Sequence, residues 1–390
     1  RIDAGKRLVE QDEARFDGQG AGDLDPPALA AGQAGGLLVA QMADMQFMQQ
    51  GVERLHALLA VQLPANLQYG EDVVGHGQFP ENGGLLRQVA EAMARTHMHG
   101  LPGDVEVIQL DVRVLATSNR HLREEVAAGR LHTEAELSDR LYAFRAEGEH
   151  FREPSFDTIS AAAVNAAMCH YNHLNTDQVT RLAMDSAYLV DSGGQYLDGT
   201  TDITRTVAIG RPADEVRRRF TLVLKGHIAL DQAKFPAGTT GTQLDVLARQ
   251  FLWNEGLDYD HGTGHGVGAF LSVHEGPQRI AKQWNGHALK PGMVLSNEPG
   301  FYKDGCYGIR CENLVVVREH EADTDDGPPM MAFEALTLAP FDLRLLEPSL
   351  LTPPEAAWID SYHERVFREL SPRLGEQDAA WLRQATRPIA

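Results

Sequence analysis

Aromatic residues are distributed unevenly along this chain of 390 residues. The whole sequence holds 14 Phe, 9 Tyr and 4 Trp, but residues 1–131 contain only Phe16, Phe47, Tyr69 and Phe79. Aromatic side chains bury large apolar areas and contribute strongly to protein cores. We therefore expect residues 1–131 to be an atypical, poorly structured N-terminal region, either unrelated to the rest or truncated, and the main core to form after it.

The overall composition argues against several classes of protein. The 55 Asp and Glu outnumber the 35 Lys and Arg, giving a net charge of -20, whereas a nucleic-acid backbone requires a basic surface. The most apolar stretch, residues 29–48, is interrupted by Gln, Asp and Gly and makes a poor membrane span. The 3 cysteines are too few for a disulfide framework, and the first residues lack a secretory signal pattern. We predict a cytoplasmic protein with no nucleic-acid and no membrane partner.

After residue 131, short strands and amphipathic helices follow one another in mixed order. Runs of β-branched residues predict strands at 187–190, 203–209, 293–296 and 309–317. Apolar residues at helical spacing predict helices at 134–149, 213–232, 242–254, 355–370 and 376–384. Mixed order with Gly-rich returns favours an α+β fold. We place the main folded domain at 132–340 and a helical C-terminal extension at 341–390.

The first polar cluster lies in residues 188–209. An apolar strand ends at Asp191, glycines turn the chain, and a second strand begins just after Asp202. Such a return brings both carboxylates to one face, where oxygen ligands suit a hard divalent cation. The alternative is that Asp191, Ser192 and Gly193 are ordinary turn residues and that Asp198 and Asp202 are turn acids exposed to solvent.

The second cluster, residues 261–277, contains three imidazoles: His261, His265 and His274. His261 and His265 are four residues apart, but the glycines among them make a helix improbable. In an extended chain the same spacing places both on one face. A lone histidine is more often structural, whereas three within fourteen residues favour a site.

The third cluster, residues 295–317, contains two more carboxylates. Glu298 closes an apolar strand, and Glu312 is expected inside the strand 309–317. A carboxylate among apolar neighbours is costly unless it is paired or bound to metal. The alternative is an ion pair between Arg310 and Glu312 on one face of a solvated strand.

Together the clusters predict one oxygen-dominated ligand set: Asp191, Asp202, His265, Glu298 and Glu312. Four carboxylates and one imidazole suit two divalent metal ions better than a structural tetrahedral zinc site. We expect Mn²⁺, with Zn²⁺ or Co²⁺ as alternatives. Two such cations can share a water, lower its pKa and hold a bridging hydroxide that attacks a carbonyl carbon.

The order of these motifs resembles the pita-bread metallopeptidases, most closely the long-form aminopeptidase P branch. The resemblance covers the chain from about residue 133 onward. It is carried by the segments PSFDTIS (154–160), MCHYNH (168–173), DSGGQYLDGTTDITRT (191–206), HGTGHGVGAFLSVHEGP (261–277), NEPGFY (297–302), GIRCEN (308–313) and FEALTLAPFD (333–342).

The resemblance implies a role for each matched residue. Asp191 would chelate one metal ion, and Asp202 and Glu312 would bridge both. His265 and Glu298 would hold the second. Substrate-side contacts are expected from His170, His261, His274 and Arg310.

The expected reaction is hydrolysis of the N-terminal Xaa-Pro bond of a peptide that carries proline in second position. Glu298 is our choice for the residue that carries the proton to the leaving amine. His170 and His274 would donate hydrogen bonds to the oxyanion or the scissile carbonyl. The requirement for proline comes from the resemblance alone, as does a possible homodimer. Alternatives are a prolidase-like dipeptidase and an inactive relative that serves as a binding module.

Overall fold

The computed structural model describes residues 122, 125–126 and 128–389, with gaps at 149, 177–178, 198 and 322–326. These residues belong to one compact unit, Asp104–Ala390. Residues 1–121 lie outside the described part, so the expectation for the first third of the chain is not addressed by the fold.

Five helices of ten or more residues lie in the described part, close to the predicted positions. They are α1 (Glu134–Ala146), α2 (Asp214–Asp231), α3 (Gly241–Trp253), α4 (Pro353–Leu370) and α5 (Glu376–Ala385). Capping boxes begin three of them, at Thr133, Thr240 and Thr352. Each threonine hydroxyl and the side chain three residues later satisfy backbone N–H groups that the first helical turn leaves unpaired. Every described helix is too short or too polar to cross a lipid bilayer.

The strands are short, and every pairing between them is antiparallel. They are β1 (Phe151–Pro154), β2 (Ile159–Ala162), β3 (Ser186–Ser192), β4 (Gly194–Tyr196), β5 (Gly199–Thr200), β6 (Ile203–Ile209), β7 (Lys234–Pro236), β8 (Gly264–His265), β9 (Arg279–Ile280), β10 (Val294–Asn297), β11 (Gly300–Lys303), β12 (Tyr307–Arg310), β13 (Asn313–His320) and β14 (Met330–Ala335). Two sheets position the candidate site: β2-β3-β6 and β10-β13-β14-β7. The hairpin β11-β12 forms a separate two-stranded sheet.

One predicted strand is wrong. The segment 309–317 is divided at Cys311 and Glu312, because β12 pairs with β11 whereas β13 pairs with β10 and β14. At the break, the Cys311 amide donates to the Pro299 carbonyl and the Glu312 amide to the Thr204 carbonyl. Glu312 therefore lies between two sheets rather than inside a strand, and its backbone is bonded to β6.

The C-terminal helices share a core with the sheets. Phe220 of α2, Ile309 of β12, Val366 of α4 and Leu382 of α5 are all fully buried in one hydrophobic cluster. At roughly 25 cal/mol per Å² of apolar area, burial of such side chains stabilises the fold by about 1.5–3 kcal/mol each. The extension 341–390 is thus packed onto the same core as the strands that carry the polar clusters.

Candidate metal centre

The hairpin of β3 and β6 brings the first two carboxylates together. Asp191 lies opposite Thr204 in the strand register, and Asp202 immediately precedes β6. Both residues are buried, with relative exposures of 7% and 5%. Burial and the neighbouring charge of Asp191 raise the pKa of Asp202 well above its ordinary value. The alternative is therefore wrong for Asp191, which lies inside β3 and not in a turn, and for Asp202, which is buried instead of solvated. Asp198 lies outside the described residues.

His265 faces the same carboxylates from β8. Its Nε2 lies 3.3 Å from Asp202 Oδ2 and 3.4 Å from Glu298 Oε1. Its Nδ1 lies 2.9 Å from the Gly266 carbonyl oxygen, which only accepts, so Nδ1 carries the proton. The unprotonated Nε2 is then directed at the carboxylates, as in a metal-ligating histidine whose other ring nitrogen is held by a carbonyl.

A glycine allows β8 to approach β10 closely enough for this contact. A Cβ atom at Gly264 would lie 2.0 Å from the Ser296 carbonyl oxygen, a distance that no side chain permits. The His265 amide donates to Ser296 Oγ at 3.0 Å, and Ser296 Oγ donates to Glu298 Oε1 at 3.1 Å. The Gly-rich motif thus brings His265 and Glu298 to the same side of the sheet.

Glu312 completes the group from the break between β12 and β13. Thr204 Oγ1 donates to its Oε2 at 2.7 Å, while its Oε1 is buried without a hydrogen-bond partner. Asp191 Oδ1 is likewise buried and unpartnered. Ligand atoms of Asp202, His265 and Glu312 all lie within 4.8 Å of one another.

These residues fit divalent cations. Burial raises the pKa of Glu298, and burial together with Asp202 raises the pKa of Glu312. Carboxylates packed this closely repel one another, and buried charges in proteins are paired or coordinate metals. Unpartnered oxygens on Asp191 and Glu312 supply free acceptors for such ions.

Arg310 forms its ion pair with Asp191 and not with Glu312, the partner that the sequence alternative gave it. Its Nη2 lies 2.5 Å from Asp191 Oδ2, and its Nε lies 3.9 Å from Glu298 Oε2. Arg310 and Glu312 are 2% and 1% exposed. An Arg310–Glu312 pair on a solvated strand is therefore wrong, because the chain turns between the two residues and directs Arg310 toward β3.

His261 connects to Arg310 through a tyrosine. Its Nδ1 lies 2.7 Å from the Gly262 carbonyl oxygen and carries the proton, and its Nε2 accepts from Tyr302 OH at 2.8 Å. Arg310 Nη1 donates to the same Tyr302 oxygen at 2.8 Å. Burial lowers the pKa of His261 to about 3, so the ring is neutral. Tyr302 lies in the segment NEPGFY, but no local pattern there indicated its position.

The remaining two histidines lie at the exposed side of the centre. The ring of His274 packs edge-to-face on His265, with centroids 4.2 Å apart and planes at 87°. Burial lowers the pKa of His274 to about 4, whereas a contact with the Cys169 thiol raises that of His170. His274 and His170 are close enough for their charges to interact. The structure thus brings every predicted site residue to one region.

A buried arginine in α3 holds the loop that carries His261, and the sequence analysis missed it. Arg249 is 0% exposed and pairs with Asp245 through its Nε at 2.6 Å. Its Nη2 donates to the His261 carbonyl at 2.8 Å, and Asp245 accepts from Thr263 Oγ1 at 2.6 Å. Asp245 and Arg249 are four residues apart, and side chains at that spacing lie next to each other on a helix. That spacing could have indicated the pair from the sequence.

The fold and this buried carboxylate and imidazole centre define a class of protein. The sequence profile of metallopeptidase family M24 matches residues 106–319, and that of the C-terminal region of peptidase M24 matches residues 329–389. The chain belongs to metallopeptidase family M24, and the expected α+β pita-bread fold is confirmed.

Two proteins of similar sequence are named as aminopeptidases. The chain is 48% identical over 273 residues to a probable Xaa-Pro aminopeptidase P of Tuber melanosporum, covering 69% of this chain and 44% of that relative. It is 46% identical over 271 residues to aminopeptidase P1 of Lotus japonicus, covering 68% and 41%. The chain therefore spans less than half the length of these relatives.

Two solved structures are similar to this chain. An X-prolyl aminopeptidase of Caenorhabditis elegans, described as a cytosolic enzyme with a di-nuclear active site, matches with a TM-score of 0.71 and 40% identity. That match covers 73% of this chain and 47% of the other. A prolidase of Pyrococcus furiosus matches with a TM-score of 0.51 and 25% identity, covering 64% and 68%.

Proposed function

We propose that this chain carries the catalytic centre of a dinuclear metal-dependent aminopeptidase that hydrolyses N-terminal Xaa-Pro bonds. One observation carries the proposal: three buried carboxylates, the half-buried Glu298 and the Nε2 of His265 converge, with unpartnered oxygens on Asp191 and Glu312. Membership of family M24 and aminopeptidase relatives support the reaction class.

The residues that would hold the cations are those predicted from the motifs: Asp191, Asp202, His265, Glu298 and Glu312. Ligand atoms of Asp202, Glu312 and His265 lie within 4.8 Å of one another, which supports the proposed bridging role of the two carboxylates. An oxygen-dominated set supports Mn²⁺, with Zn²⁺ and Co²⁺ as alternatives. When bound, two divalent ions would supply a hydroxide nucleophile at neutral pH and polarise the scissile carbonyl.

The protein's own groups would then orient the substrate and move the proton. Glu298, whose Oε2 lies 3.9 Å from Arg310 Nε, would take the proton from the attacking water and pass it to the leaving amine. His274 is neutral and keeps one N–H to donate to the carbonyl oxygen of the substrate, with His170 beside it. His261 and Arg310, joined by Tyr302, would line the side that accepts proline.

The deciding experiment compares three substrates on the metal-loaded protein. We expect Xaa-Pro-Xaa tripeptides to be cleaved and Xaa-Ala-Xaa tripeptides and Xaa-Pro dipeptides to be poor substrates. Preference for the dipeptides would identify a prolidase-like enzyme, in agreement with the structural similarity to the Pyrococcus prolidase. No turnover with Mn²⁺, Co²⁺ or Zn²⁺ would indicate an inactive relative that binds peptides.

Matched variants separate loss of the site from loss of the fold. Glu312→Gln should abolish turnover and reduce bound metal, measured by mass spectrometry of the metal content. Glu364→Gln changes an exposed glutamate of α4 and should leave both unchanged.

We also propose the division into residues 1–131, 132–340 and 341–390, a cytoplasmic location and a homodimer. Three free cysteines and the cytosolic nematode relative support the location. Limited proteolysis that yields a stable fragment from about residue 131 would support the division, whereas uniform resistance across residues 1–131 would contradict it. Sedimentation equilibrium tests the dimer.

A further inference from the structure

A buried arginine outside the proposed ligand set contacts the backbone of a proposed ligand. Arg205 of β6 is 2% exposed, and burial lowers its pKa. Its Nη1 donates to the Glu312 carbonyl and to the Thr204 carbonyl. Its Nη2 donates to Asn313 Oδ1 at 2.7 Å. The Arg205 guanidinium thus donates hydrogen bonds to both residues joined by the peptide bond after Glu312: to the Glu312 carbonyl and to the Asn313 side chain.

The polar partners of this guanidinium are all neutral within the described residues. They are the carbonyl oxygens of Thr204, Glu312, Ala339 and Pro340 and the side-chain oxygens of Asn313 and Tyr362. The Phe341 ring covers one face, with its centroid 4.1 Å from the guanidinium carbon. A buried cation that is held by dipoles rather than by a carboxylate is costly and is tolerated where its donors are all used. Arg205 uses its donors to tie Glu312 to the segment before α4.

The C-terminal extension completes this arrangement through Tyr362 of α4. The Tyr362 hydroxyl accepts from Arg205 Nη2 at 3.3 Å and lies 2.9 Å from the Ala339 carbonyl oxygen and 3.3 Å from Asn313 Oδ1. Its ring stacks on Trp358, with centroids 5.2 Å apart and planes at 4°. The stacking fixes the direction of the hydroxyl, because the ring cannot rotate out of the core.

A second set of contacts ties the other proposed glutamate ligand to the same place. Asn297 directly precedes Glu298, Asn313 directly follows Glu312, and the two asparagines are paired across β10 and β13. His227 of α2 bonds both, with Nδ1 3.0 Å from the Asn297 carbonyl oxygen and Nε2 3.3 Å from Asn313 Nδ2. The end of β10 next to Glu298 and the start of β13 next to Glu312 therefore both bond to His227.

We infer that Arg205 and Tyr362 are positioning residues for the metal centre, through which helix α4 of the C-terminal extension holds Glu312 in its metal-binding position. The inference rests on the proposed metal site and goes beyond it, since neither residue reaches the centre. Groups that orient ligands commonly change metal affinity when they are removed, by roughly 10- to 100-fold. The C-terminal extension thus contributes to metal affinity and not only to the core.

The test uses Tyr362→Phe in the full chain, which keeps the stacked ring and removes the hydroxyl. Mn²⁺ binding to the metal-free protein is measured by isothermal titration calorimetry, together with the Tm of the metal-free form. We expect the Kd for Mn²⁺ to rise by roughly tenfold. Arg205→Lys, which keeps the charge but loses the forked donors, should weaken binding at least as much.

Val366→Ala is the matched control on the same helix, because Val366 is 0% exposed and contacts the apolar core instead of Arg205. It should lower the Tm of the metal-free protein while the Kd for Mn²⁺ stays at the wild-type value. Wild-type affinity in both Tyr362→Phe and Arg205→Lys overturns the inference, and so does a Kd that rises equally in Val366→Ala. If the wild-type chain binds none of Mn²⁺, Zn²⁺ and Co²⁺, the proposed function is overturned instead, and the inference with it.

Discussion

Arg310 and Asp191 form a buried ion pair between residues that are 119 positions apart in the chain. Arg310 Nη2 lies 2.5 Å from Asp191 Oδ2, and the two side chains are 3% and 10% exposed. The pair joins the hairpin β11-β12 to the sheet β2-β3-β6. It neutralises one carboxylate of the proposed centre while leaving Asp191 Oδ1 unpartnered.

Replacement of this arginine should destabilise the metal-free protein most. Arg310→Met leaves Asp191 as an uncompensated buried charge, which costs about 3–5 kcal/mol of the free energy of unfolding. Saturating Mn²⁺ should reduce that cost, since cations held by the same carboxylates restore positive charge. Urea unfolding with chelator and with Mn²⁺ measures both values. Arg318→Met, which removes a half-exposed arginine paired with Glu334, should cost about 0–1 kcal/mol in either condition. An equal loss with and without metal would contradict the prediction.

Removal of the Tyr302 hydroxyl should affect catalysis more than stability. Tyr302→Phe breaks the contacts that join His261 to Arg310, each a hydrogen bond with a net value of about 1–2 kcal/mol. We expect kcat/KM on an Xaa-Pro-Xaa peptide to fall by roughly 5- to 30-fold. Tyr307→Phe on the same hairpin is the control, because Tyr307 faces Glu215 instead of the centre. Similar losses in the two variants would show that the effect comes from the hairpin as a whole.

The buried pair of Asp245 and Arg249 in α3 should be important for stability, in contrast to the more exposed pair that Lys282 forms with Asp258, a second partner of Arg249. Arg249→Met removes the partner of Asp245 and the donor to the His261 carbonyl, and should cost about 3–5 kcal/mol. Lys282→Met breaks an ion pair with Asp258 whose side chains are 40% and 34% exposed, and should cost about 0–1 kcal/mol. Thermal unfolding of both variants tests the contrast, and comparable changes in Tm would argue against it.

Asp231 should make the stability of the fold depend on pH. Burial raises its pKa from 3.8 to about 6, while its Oδ2 accepts from Trp358 Nε1 at 2.9 Å. The folded state therefore holds this proton more tightly than the unfolded state, and stability is lost as pH rises from about 4 to about 6. Asp231→Asn keeps the acceptor and cannot ionise, so it should be more stable than the wild type by about 3 kcal/mol at pH 8 and nearly equal at pH 4. Urea unfolding at both pH values measures the difference, and a difference that is constant with pH would refute the assignment.

Local patterns in the sequence were sufficient for the helices, most strands and the identity of the candidate ligands. Helices α2 and α3 lie within one residue of their predicted bounds, because apolar spacing and capping residues act over a few positions. The Gly-rich motifs also indicated His265 and Glu298 as candidate ligands, and His265 Nε2 lies 3.4 Å from Glu298 Oε1. The strand at 309–317 failed because its apolar pattern continues through Cys311 and Glu312. Nothing local indicates that its two halves pair with different partners.

The composition and motifs of this chain therefore specify which side chains are available for metal binding and which short segments carry them. The tertiary structure alone decides their partners: Arg310 meets Asp191 instead of Glu312, Tyr302 joins His261 to Arg310, and Tyr362 reaches the arginine behind Glu312. These contacts connect segments far apart in sequence. Their geometry depends on how sheets and helices pack against one another, which residue type and spacing do not encode.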